Sequence, residues 1–111
     1  MTRLEARLWL AQRATALVLA VCVMVHLATI LYAVRSGLSA EAILGRTRGQ
    51  WGWAIFYGAF VLAASVHGAI GLRTIAREWL GWRHGSGVAA TLLCVALALL
   101  GWRAVAAVVM S

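Results

Sequence analysis

Two histidines lie in stretches free of lysine, arginine, aspartate and glutamate. His26 falls within Ala14–Val34, and His67 within Gly49–Leu72. An imidazole in such surroundings has three uses. It can hydrogen-bond across helices, which is worth only about 1 kcal/mol in a membrane. It can relay protons, which calls for carboxylates nearby. The chain has three acidic residues, Glu5, Glu41 and Glu78, all at the edges of the apolar stretches. It can also serve, as a neutral ring, as an axial ligand to haem iron. Around His67 the pattern suits the third use. Gly68 and Gly71 remove bulk where a flat ring could lie, and Arg73 and Arg77 follow as cations for propionates.

The elements that carry these histidines follow from hydropathy. The 111-residue chain is 64% hydrophobic and 12% charged, with no proline. A soluble domain of this size carries far more charge. A third apolar stretch runs from Gly85 to Trp102 and resumes after Arg103. A helix needs about 20 apolar residues to cross the hydrocarbon core, and all three stretches qualify. Backbone groups in lipid must bond within their own segment, so these spans are helices. The expected fold is an all-α membrane protein with three transmembrane helices, a single transmembrane domain over residues 1–111. Helix 1 is expected at about 9–34, helix 2 at about 51–78 and helix 3 at about 87–109. A short turn capped by Ser39 lies in the first connection. The first span is too long for a signal-peptide core of roughly 7–15 residues and reads as a retained anchor.

Periodicity turns the histidines inward. Gln12, Thr15, Leu19, Cys22, His26, Thr29 and Ala33 share one face of helix 1. Helix 2 has a comparable line of Phe60, Ala64, His67, Gly71, Thr74 and Glu78, and helix 3 offers Gly87, Ala90, Cys94, Ala98 and Gly101. Small and polar residues in such helices face protein. Cys22 and Cys94 lie within spans without metal-ligand spacing and read as packing residues.

Depth separates the two rings. His26 lies about eight residues, roughly 12 Å, from the end of helix 1, while His67 lies about sixteen residues, roughly 24 Å, from Trp51 on the same side. The difference of about 12 Å disfavours one haem held by both histidines. It suits two haems stacked across the membrane, each taking its second histidine from another polypeptide.

The net charge of +7 comes from arginine alone. The arginines cluster at span ends, which excludes nucleic acid as the expected partner. Arg3, Arg7, Arg13, Arg73, Arg77 and Arg83 fall on one side, which the positive-inside bias makes cytoplasmic along with the N-terminus. A cation-exporting transporter would need a carboxylate deep in a span, and none is there. No Gly-rich phosphate loop and no cysteine cluster for iron–sulfur is present, so the chain reads as a non-catalytic subunit.

His67, Gly71, Glu78 and Trp79 resemble the His-x-x-x-Gly…Asp-Tyr pattern in the second helix of membrane anchor (cytochrome b) subunits of succinate dehydrogenase and fumarate reductase, of the two-subunit-anchor type. "QRATALVLAV" is similar to that family's first helix, and "VHLATILYAV" resembles the first-helix histidine of its two-haem branch. The likeness covers most of residues 9–80. It implies an integral protein of the cell membrane with its partner subunits, a flavoprotein and an iron–sulfur protein. A second anchor chain, different or identical, would complete the haem-binding bundle. It implies haem b, one or two per complex, with His67 ligating the haem nearer the cytoplasm and His26 the outer one. Arg13 and Arg73 would serve haem propionates or quinone. Glu78 and Trp79 would lie near ubiquinone or menaquinone, although Trp79 replaces a tyrosine, and an indole N–H donates a hydrogen bond but accepts none. Alternatives are a haem-b subunit of another quinone-linked dehydrogenase or hydrogenase, and a haem-free anchor whose histidines only cross-link helices.

Overall fold

The computed structural model of the chain describes residues 2–110 and is all-helical over its ordered elements. Four helices follow in order: α1 (Arg3–Ser36), α2 (Ala40–Thr47), α3 (Trp51–Trp79) and α4 (Ser86–Val109). α1, α3 and α4 are each long and apolar enough to cross a membrane.

α1 starts at Arg3, ahead of the expected start near residue 9. The reason is local: Thr2 and Glu5 form a capping box, each side chain bonding the other's backbone N–H. Good helix formers then carry the helix through the charged lead without a break. The apolar part of α1 begins only at Ala14, so its first three turns, bearing Arg3, Arg7, Trp9 and Arg13, extend the helix beyond the hydrophobic segment. At the other end the chain turns at Gly37, whose φ of 135° suits glycine. Ser39 then caps α2, accepting from the Ala42 N–H at 3.1 Å. Thr47 donates to the Val108 carbonyl, and the Gly49 N–H to that of Val109, which ties this connection to the end of α4.

α3 is the central helix, packed against α1 on one side and more extensively against α4 on the other. The interior is built mostly from small side chains, Cys22 on α1, Ala63, Ser65, Ala69 and Ala76 on α3, and Ser86 and Ala90 on α4, joined by Val105 and Val109 near the end of α4. Large apolar side chains such as Leu17, Ile55 and Leu99 point outward. This inverts the pattern of a soluble protein and matches helices whose outer solvent is lipid. Among the glycines the tightest surroundings are at Gly101, where a Cβ would overlap the Val61 side chain.

The expected stripe on α1 is the packed one. Between residues 13 and 33 only Thr15, Leu19, Cys22, His26, Thr29 and Ala33 are buried or half-buried. On α3 the expected line is only part of the packed surface: Phe60, His67 and Gly71 are half-buried, while Ala64, Thr74 and Glu78 are exposed. A single stripe was expected there, but a helix with two neighbours needs two.

Candidate functional site

α1 and α3 run antiparallel, and their facing side chains set two levels along one seam. At the first, His67 Nδ1 lies 3.2 Å from Thr15 Oγ1. At the second, His26 Nδ1 lies 3.1 Å from the Tyr57 hydroxyl. The levels are eleven residues apart on α1 and ten on α3, or about 15 Å along the helix axes. Both rings thus face the α1–α3 seam at different depths, close to the separation expected from residue counting.

The two hydrogen bonds differ chemically. Thr15 also donates within its own helix, to the Ala11 carbonyl at 2.8 Å, with the Gln12 carbonyl at 3.1 Å. Its one proton is therefore engaged, and its lone pairs face His67. Nδ1 of His67 accordingly carries the proton, and Nε2 keeps a free lone pair. The Tyr57 hydroxyl has no other hydrogen-bond acceptor among the described residues. With its proton unengaged elsewhere, the phenol can either donate to Nδ1 of His26 or accept from it. His26 is also boxed edge-on by Tyr57 and Phe60, each with centroids 5.7 Å away.

A cavity of about 650 Å³ opens beyond the His67 level, where the first turns of α1 meet the last turns of α3. Gly71, Arg73 and Glu78 line it, as do Gln12, Arg77 and Arg83. Arg13 does not line it; its guanidinium stacks over the Trp9 ring at 5.0 Å. Trp79 is 82% exposed and also stands outside it. Gly71 leaves no open gap for a flat ring on this chain: a Cβ there would lie 3.3 Å from the Gln12 amide nitrogen, which occupies the notch. The side-chain amide oxygen of Gln12, Oε1, is buried beside it with no hydrogen-bond partner.

A second cavity of about 550 Å³ lies at the other end of the seam, lined by His26, Thr29, Arg46, Trp53 and Tyr57 among others. Arg46 bonds the Gly37 carbonyl at 2.8 Å and sits over the Tyr32 ring.

Among the described residues no group of three or more His, Cys, Asp or Glu could hold a metal ion. Each histidine is a lone donor, which is the set for an axial position completed from elsewhere, and the unshared pair on His67 Nε2 fits haem iron.

Sequence reasoning named neither Thr15 nor Tyr57 as a partner of the histidines, nor Gln12 as a cavity residue. The signal was present for Thr15 and Gln12, which share the His26 stripe. The pairing was not, because it depends on the register between two helices.

No curated protein and no solved structure matches the chain significantly. A family model, the succinate dehydrogenase/fumarate reductase transmembrane subunit, matches residues 1–108. With three helices of spanning length around this seam, the chain is an integral membrane protein that belongs to the succinate dehydrogenase/fumarate reductase transmembrane subunit family.

Proposed function

We propose that the chain is a haem-b-binding anchor that holds the flavoprotein and iron–sulfur subunits of a succinate dehydrogenase or fumarate reductase at the membrane and carries electrons to or from quinone. The observation that supports this best is the pair of imidazoles on one seam, about 15 Å apart in level. Haem supplies one-electron storage between the iron–sulfur centres and the quinone pool. His67 is the ligand on the arginine-rich side, through Nε2. His26 is the outer ligand, a role in which the Tyr57 hydroxyl accepts from Nδ1. The second histidine for each iron comes from another anchor chain. Arg73 and Arg77 line the cavity next to the His67 level and suit propionates or a quinone carbonyl, with Glu78 at the same cavity. Arg13 and Trp79 would need to move to join them. Six arginines at this end make it the cytoplasmic side, N-terminus included.

A second reading draws on the same contacts. Both histidines hydrogen-bond across α1 and α3, as a haem-free anchor would use them. Purification of the intact complex separates the two. The proposal expects flavin-bearing and iron–sulfur subunits to co-purify with haem b. A colourless complex with those subunits in place assigns the histidines to cross-linking, and a preparation without them removes the anchor role.

A further inference from the structure

We infer that Thr15 is the positioning residue for His67, fixing the imidazole in the form that carries its proton on Nδ1 and presents Nε2 to iron. The inference rests on the haem reading of His67 and adds a role for a residue on the opposite helix.

Three observations carry it. Thr15 Oγ1 is 2.8 Å from the Ala11 carbonyl and 3.2 Å from His67 Nδ1, so the hydroxyl proton belongs to the shorter, backbone bond. A β-branched side chain has few χ1 states, and the backbone bond selects one of them, so the acceptor lone pair is held still. The opposite tautomer would place the proton on Nε2, which has no hydrogen-bond acceptor among the described residues.

The other histidine gives the contrast. His26 has a phenol as its partner, and that phenol has a proton to give. Only the Thr15 partner, its proton already engaged by the backbone, therefore fixes the form of its imidazole, whereas the Tyr57 partner admits either form. An acceptor on the far nitrogen of a ligating imidazole also makes the ring a stronger electron donor. Thr15 thereby lowers the reduction potential of iron bound at His67.

The test uses the purified complex with Thr15→Val, Thr15→Ser and His67→Ala. Haem content, the reduced-minus-oxidised spectrum and the midpoint potential are read, with co-purifying subunits as the measure of assembly. Thr15→Val keeps the shape and removes the acceptor. It is expected to weaken haem retention, with affinity falling roughly 10–100-fold, and to move the midpoint potential to more positive values. Thr15→Ser is expected to restore both. Should Thr15→Val fail to assemble, Thr15→Ala is read in the same way, without a bulky replacement. Loss of haem in His67→Ala with wild-type potential and retention in the Thr15 variants overturns the role of Thr15 alone. Equal defects in Thr15→Ser and Thr15→Val also overturn it. Haem unchanged in His67→Ala overturns the haem reading and this inference together.

Discussion

Which nitrogen of an imidazole carries the proton decides what the ring can hold. At His67 a hydroxyl already bonded to its own helix leaves Nε2 open; at His26 a phenol with an unengaged proton can donate or accept, so its partner does not fix the form of the ring. Loss of the outer ring should therefore be the milder event. His26→Ala is expected to remove an outer haem only, leaving the His67 haem in the difference spectrum. Loss of both signals would show that one iron spans the two levels. At this scale the sequence named both histidines, because ionisable residues are rare in apolar spans. It did not name Thr15 or Tyr57 as partners, since neither composition nor periodicity sets which turn of α1 meets which turn of α3.

Among the helices, α3 bears the heaviest demand, since it packs on both sides. Its contact with α4 depends on Gly101, where the Val61 methyls fill the space that a Cβ would take. Overpacking of this kind typically costs about 1–3 kcal/mol. Gly101→Val is expected to lower the thermal stability of the purified chain in detergent, and Val61→Ala in the same molecule should recover part of it. Full stability in the single variant would mean that α3 and α4 separate there without cost. The small-residue line of α4 was legible from spacing: Ala90 is buried and Cys94, Ala98 and Gly101 are half-buried, with Gly87 outside. The line on α3 was legible only in part. A periodic pattern reports one face well but cannot apportion residues between two neighbours. The start of α1 was misjudged because hydropathy marks the membrane boundary, while the helix itself runs on to its cap at Thr2.

The molecule as a whole is an elongated bundle, 49 × 23 × 23 Å, of three spans with bulky apolar side chains outward and cations towards the ends. Its all-α membrane class was readable from three uncharged stretches, because lipid leaves a short chain no other spanning form. Orientation rests on charge at the span ends. Leu4 is exposed in the charged lead, so Leu4→Cys should react with a membrane-impermeant maleimide from the cytoplasmic face alone. Labelling from the outside would reverse the topology and place His67 on the outer side. Haem was suggested by the histidines, glycines and arginines themselves, whereas partner subunits and quinone lie outside one chain's sequence and were suggested only by the family resemblance.

The most direct measurement is haem b in the intact complex, wild type against His67→Ala, by reduced-minus-oxidised spectroscopy on preparations with equal subunit content. The account predicts a haem b band in the wild type and loss of the component on the arginine-rich side in the variant. A wild-type complex without Soret absorption, or a variant with its haem undiminished, would contradict it.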